Sequence, residues 1–116
     1  MVNGKKNLSK EEDDNYLDAL FSALSDRKRR GVLDHLSKNG ASVSELAEAY
    51  NMTLAGMMKH LKVLEKAELV YLEKTGRVRS CSFNPEGLQG AEFFINKYKD
   101  FWNDKFDKLE DILKKN

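Results

Sequence analysis

Met52-Thr-Leu-Ala-Gly-Met-Met-Lys-His-Leu-Lys-Val-Leu-Glu-Lys-Ala-Glu-Leu-Val70 is the stretch on which the reading of this chain turns. Its spacing predicts a helix that opens at a cap and ends just before a strand. Thr53 suits the N-cap, because its hydroxyl accepts an amide hydrogen that the first helical turn leaves without a partner. Met57, Leu61 and Leu64 recur at helical spacing, with Val63 filling in, and point one way. Lys59, Lys62 and Lys66 point largely the other way. Such a helix seats its apolar face on a core and leaves a basic face for something anionic. A solvated surface helix has the same pattern, so the flanking segments decide between the two.

Before it, Ser42-Val43-Ser44-Glu45 has the S-x-x-E spacing of a capping box. The box opens a short helix through Tyr50, with Leu46, Ala47 and Tyr50 inward. Asn51 suits the left-handed position that follows a last turn. Two short helices joined by Tyr50-Asn51-Met52-Thr53, the second basic on one face, form a helix-turn-helix pattern. After Ala67-Glu68 the period changes from helical to alternating. Val70–Lys74 and Val78–Phe83 read as two strands of a hairpin turned at Thr75-Gly76, with Lys74, Arg77 and Arg79 at the tip. Asn84-Pro85-Glu86 ends the second strand and starts a helix, with Pro85 near its first turn.

Further out, Ser9-Lys10-Glu11-Glu12 is another S-x-x-E box, and Leu17, Leu20, Phe21 and Leu24 form the stripe of a first helix. Ser25 or Asp26 caps the next, Arg27 to about Ser37, with Val32, Leu33 and Leu36 inward. Asn39-Gly40 is its stop signal, Gly40 being able to turn left-handed. The last helix is expected to run from Pro85 to about Leu113. Leu88, Ala91, Ile95, Tyr98, Trp102, Phe106, Leu109 and Ile112 follow steps of three and four, and Phe94, Phe101 and Leu113 broaden the stripe. One small domain does not need to cover that much apolar surface, and aromatic-rich excess marks a partner.

The 116 residues suffice for one domain and an arm, with residues 1–8 the polar, disordered or frayed arm. Charged residues are 34% of the chain and there is a single proline, which suits a helix-rich soluble protein. The net charge of +1 gives the whole molecule no field for a polyanion, so the distribution matters. Between Met52 and Asn84 there are six Lys or Arg and three Glu, and Arg27 to Arg30 add a second basic cluster. Cys81, the single cysteine, forms no intrachain disulfide and fits a reducing compartment. No apolar run approaches the ~20 residues that span a bilayer. Met1 to Lys10 has no apolar stretch of signal-peptide type. A cytoplasmic protein without membrane contact is expected.

Catalytic chemistry finds little support. The seven glycines are scattered rather than gathered in a phosphate loop. His35 and His60 lack a second ligand at metal-binding spacing, and His60 reads as a hydrogen-bonding or phosphate-contacting residue. Cys81 reads as a small packing residue in a strand. No catalytic residue, metal ligand or cofactor is expected.

In their order along the chain, these segments resemble the ArsR family of winged-helix transcriptional regulators, from about Leu17 to Leu113. Leu20 to Leu33 is similar to the family's opening segment, and Ser42 to Ala47 to its first helix-turn-helix helix. Lys59 to Val70 resembles the end of its recognition helix; Gly76 to Arg79 and then Asn84-Pro85 resemble its wing and exit. The resemblance implies a mainly α winged helix-turn-helix of about five helices plus a two-stranded β-wing, spanning residues 9–116. It implies a homodimer formed through the first and last helices, binding a palindromic operator on double-stranded DNA as a repressor. The implied DNA-facing residues are Thr53, Leu54, Ala55, Met58, Lys59, His60, Lys62, Lys74, Arg77 and Arg79. The implied dimer surface holds Leu17, Phe21, Phe94, Tyr98, Phe101, Trp102, Phe106 and Leu109. The chain departs from the family where Leu54 and Met58 replace a polar Gln and Ser, and where Ser44-Glu45-Leu46-Ala47 replaces a thiolate sensor motif. Whether a small-molecule effector exists stays open. A protein-docking winged helix, with Leu54, Met57 and Met58 as an apolar patch, is the alternative.

Overall fold

The computed structural model describes residues 10–115. They form α1 (Lys10–Leu24), α2 (Arg27–Lys38), β1 (Ala41–Ser42), α3 (Val43–Ala49), α4 (Leu54–Lys66), β2 (Val70–Thr75) and β3 (Val78–Phe83). A 3-10 turn (Pro85–Leu88), α5 (Gln89–Asn96) and α6 (Lys99–Lys115) complete the chain. The expected arm and its neighbour Ser9 lie outside the described residues.

The helices end where their capping chemistry ends. Of the two candidate caps for α2, Asp26 takes the role: its carboxylate accepts the Arg29 amide at 3.0 Å. Ser42 and Glu45 close the full capping box of α3, at 3.1 Å and 2.8 Å. Both carboxyls are held below their ordinary values by these backbone donors, Asp26 chiefly by the Arg29 amide and Glu45 chiefly by the Ser42 amide. A lowered folded-state value stabilises above the unfolded one, so both caps act at neutral pH and weaken as acid titrates the folded carboxyls.

The apolar faces meet in one core. Leu20 of α1, Val32 of α2, Leu46 of α3, and Met57, Leu61 and Leu64 of α4 are fully buried in it. Val63 is not part of that face. It stands about 100° round the helix from Leu64 and is exposed. Leu69, Val70 and Cys81 extend the core under the sheet.

Three sequence expectations need correction. Gly40 does not turn left-handed; Asn39 is already extended at φ −155°, and the chain runs straight on into a strand. That strand makes the sheet three-stranded in the order β1-β3-β2, with Ala41 opposite Cys81 and Ser42 opposite Ser80. Two residues are too short to show alternation. The last helix is also not continuous. Pro85–Leu88 winds as a 3-10 turn, and at Lys97-Tyr98 the bonding tightens to i−3, with Tyr98 N–H on the Ile95 carbonyl at 3.0 Å. Neither glycine nor proline stands there to signal the break.

The end of β3 is tied to the end of α4. The Asn84 side-chain amide donates to the Glu68 carbonyl at 2.8 Å, and the Asn84 N–H donates to the Leu69 carbonyl at 2.9 Å. Gly87 follows so closely that an added Cβ would lie 2.0 Å from the Glu68 carbonyl oxygen, which is backbone and cannot swing away. Gly87→Ala is therefore expected to destabilise the protein by about 3 kcal/mol, the upper end for overpacking. Gly40→Ala, whose Cβ meets nothing closer than 3.4 Å, serves as the control and should be nearly neutral. Urea unfolding of both variants checks this; equal, small losses would mean that the junction yields.

Candidate nucleic-acid interface

Two matching turns hold α4 in place. At its start, Asn51 takes φ 53°, its N–H bonds the Glu48 carbonyl at 3.1 Å, and the Met52 N–H reaches the Ala47 carbonyl at 2.8 Å. This is a Schellman closure of α3 with Asn51 in the left-handed position its sequence suggested. Thr53 then caps α4, its hydroxyl oxygen accepting the Gly56 amide at 3.0 Å. At the far end Glu68 takes φ 63°, with its N–H on the Glu65 carbonyl and the Leu69 N–H on the Leu64 carbonyl at 2.8 Å and 2.9 Å. Nothing in the sequence marked Glu68, because left-handed positions favour glycine or asparagine.

The wing is β2 and β3 joined at Gly76, whose φ of 63° suits a residue without Cβ. Val70 pairs with Phe83, Leu72 with Cys81 and Lys74 with Arg79. Side chains at these positions share one side of the sheet, the side that faces the core at its base. Towards the tip the core runs out, and the same side carries Lys74 and Arg79 directly across from one another. Like charges so placed repel, and an anion between them relieves that.

The wing and the start of α4 enclose a cleft of about 590 Å³. It is lined by five of the residues singled out in the sequence: Leu54, Ala55, Met58, Arg77 and Arg79. Ser42, Val43, Ser44 and Val78 also line it and were not anticipated. In the sequence the capping box marks only the start of a helix, and Val78 only a strand. Thr53 at the cap of α4, Lys59 and Lys62 along it, and Lys74 on the wing are exposed without lining the cleft. Lys62 makes only a 3.5 Å ion pair with Glu65, both side chains well exposed, a weak attachment that water and salt screen.

His60 stands apart from this group. It is half-buried, with Arg29 Nη1 3.3 Å from its Nδ1. A guanidinium only donates, so this ring nitrogen accepts. Arg29 also donates to the Ala23 and Ser22 carbonyls at 2.8 Å and 2.9 Å, and Arg30 to the Leu24 carbonyl at 2.8 Å. Helix α1 has no basic residue in its own last turn, so arginines of α2 satisfy its terminal carbonyls. Half of the Arg27–Arg30 cluster is thus committed within the chain.

The aromatic residues expected at the dimer surface form two groups of rings along α1, α5 and α6. Phe21 meets Phe94 edge-on at 5.5 Å, Phe94 meets Tyr98 at 5.6 Å, and Trp102 meets Phe101 and Phe106 at 5.8 Å and 6.2 Å. All these rings, and Leu109, are exposed within the chain; only Leu17 is half-buried, against the core. Cys81 lies under the sheet, its thiol pushed up to about 12 by burial first and by the Glu65 charge second, so it is protonated at neutral pH. Among the described residues, no group of three or more His, Cys, Asp or Glu is placed to hold a metal ion, and no helix is long and apolar enough to cross a membrane.

A helix-turn-helix domain family matches residues 24–73, from the end of α1 into β2. The transcriptional repressor SdpR of Bacillus subtilis is 32% identical over 82 residues, which cover 67% of this chain and 91% of the repressor. The crystal structure of an ArsR family transcriptional regulator superposes with a TM-score of 0.72 at 37% identity, over 78% of this chain and 93% of the other. A homodimeric winged helix-turn-helix DNA-binding domain from Mycobacterium bovis shares the fold, with a TM-score of 0.62 at 19% identity over 82% of this chain and 92% of its own. With the capped α3–α4 pair and the basic wing beside it, these likenesses assign the chain: it belongs to the ArsR family of winged helix-turn-helix transcriptional regulators.

Proposed function

We propose that this regulator is a repressor that binds a palindromic operator as a homodimer. The family is one of transcriptional regulators rather than enzymes. The cleft carries the reading: it joins the first turns of α4 to two wing arginines, with Lys59 and Lys62 exposed further along α4 and Lys74 on the wing. Basic side chains flanking a short helix start are what a duplex requires, phosphates on the rim and base edges at the centre. Thr53, Leu54, Ala55 and Met58 take the central role; Lys59, Lys62, Lys74, Arg77 and Arg79 take the rim. His60 contributes by holding α4 to Arg29 rather than by reaching DNA. The exposed rings support a second copy seated on α1, α5 and α6, as does the homodimeric domain of the same fold. Such a protein works beside the DNA it regulates, in the cytoplasm.

Lys62→Ala should weaken binding to all duplexes alike. The slope of log affinity against log salt should fall by about one unit per phosphate lost, approaching two for a dimer. Titrations at several salt concentrations measure it. Leu54→Gln should change the preferred sequence and leave the salt slope nearly fixed, since glutamine pairs with adenine. Selection from random duplexes reads the outcome, and an unchanged preference would mean that the first turn of α4 does not lie in the major groove. Salt-independent, weak duplex binding by the unmodified protein would instead favour the protein-docking alternative.

Trp102 is about half exposed within the chain, so removing it should leave the core intact. Trp102→Ala is expected to weaken the dimer by about 2 kcal/mol, near 30-fold in Kd, as for a central aromatic anchor. Sedimentation equilibrium measures this. An unmodified protein that is monomeric at micromolar concentration would refute the dimer.

A further inference from the structure

The start of α4 has an unusual chemical inventory for a helix set to read DNA. After Thr53 come Leu54, Ala55, Gly56, Met57 and Met58, and no side chain among these five donates a hydrogen bond. Met57 is fully buried and Met58 half-buried against the core. The Thr53 hydroxyl oxygen accepts the Gly56 amide, which leaves its own hydrogen as the one side-chain donor from Thr53 to Met58. What remains exposed on the first turn is apolar: Leu54, 56% accessible, and Ala55 beside it. Both line the cleft whose rim holds Arg77 and Arg79.

An exposed leucine framed by arginines has a matching partner in a duplex. The major groove offers hydrogen-bonding edges at every base pair, but it offers an apolar group only where a pyrimidine carries a methyl at C5. Thymine is the ordinary source and 5-methylcytosine the other. Resting on the DNA-binding reading above, we propose that Leu54, with Ala55, recognises a pyrimidine C5-methyl, and that each operator half-site places a thymine under the first turn of α4. The rim cations hold the phosphates on either side and carry no sequence information. Specificity at that base pair then comes from apolar contact rather than from a hydrogen bond. The base pair on which polar readers depend for pairing groups is here chosen by its methyl.

The test uses the full chain and a duplex selected from random DNA, with each thymine replaced in turn by uracil. Uracil keeps the pairing edge and the O4 acceptor and removes only the methyl. One thymine per half-site should show a loss of about fourfold on replacement, the value for burying one methyl group. Placing cytosine and then 5-methylcytosine there, each opposite guanine, separates the sources: the methyl should recover part of what cytosine loses. In Leu54→Ala, the difference between thymine and uracil duplexes should shrink to less than about twofold, while the salt slope stays as in the unmodified protein. If every uracil duplex binds like its thymine parent although other base changes weaken binding, the methyl proposal is overturned and the DNA-binding reading stands. If uracil discrimination persists undiminished in Leu54→Ala, another residue reads the methyl and the assignment to Leu54 is overturned. Failure to bind any duplex in a salt-dependent way overturns both.

Discussion

The Asn84 side-chain amide, donating to the Glu68 carbonyl, joins the end of the wing to the end of the recognition helix. Asn84 is a buried polar residue, and within this bond its amide exchanges water for a backbone acceptor; a buried amide left unpaired would destabilise by about 1–3 kcal/mol. The Glu68 carbonyl is itself placed by the left-handed turn that closes α4. Gly87 packs against that same carbonyl so tightly that no side chain fits. The angle between α4 and the β2–β3 hairpin is therefore set by backbone contacts at the base, far from the tip. The cleft at the other end inherits its width from this joint. A loose joint would let Arg77 and Arg79 wander relative to Leu54, and a site built from two elements would lose its geometry.

Much of this was legible because the signals were local and chemical. The S-x-x-E box at Ser42, the hydroxyl at Thr53 and the asparagine at Asn51 each act on backbone groups within a few residues. The same is true of the core face of α4, where helical spacing alone selects Met57, Leu61 and Leu64. Illegible features depend on partners distant in sequence. The left-handed Glu68 is held by its helix end and by Asn84, sixteen residues on. β1 exists only because β3 lies beside it. Val63 looks inward by its apolar chemistry, but its angle around the helix outranks that chemistry. The break at Lys97-Tyr98 has no residue of its own to announce it.

The candidate site was half legible for the same reason. The family resemblance points to Leu54, Ala55 and Met58, and the basic hairpin tip to Arg77 and Arg79; all five line the cleft. Ser42, Ser44, Val43 and Val78 reach the cleft through tertiary packing and were missed. Counting charge along the sequence also misled in one place. Arg29 and Arg30 were grouped with the cations free to meet an anion, yet both are turned to carbonyls at the end of α1. A charge satisfied by its own chain neutralises fewer phosphates than a free one, so formal charge overstates the polyanion-binding capacity of α2. Lys74 and Arg79 show the converse. They face one another across the hairpin with no acid between them in the strand register, and their mutual repulsion favours an added anion.

These placements divide affinity from selectivity along rigid and flexible lines. Arg77, Arg79, Lys59 and Lys62 are long side chains with charges several bonds from the backbone, suited to phosphates that recur at every step of a duplex. Their energy is electrostatic and indifferent to small shifts in register. Leu54 and Ala55 are short and sit on a turn fixed at both ends, by the Asn51 closure before it and by the Thr53 cap on it. Apolar contact falls off within about an ångström of the optimal separation, so it discriminates only when the contacting atoms are held in place. The capping hydroxyl of Thr53 is thus more than a stabiliser of α4. It ties the Thr53 oxygen to the Gly56 amide and fixes the backbone from which Leu54 and Ala55 stand exposed. The composition of the turn and the way it is held are what the proposed reading by shape and methyl contact rests on.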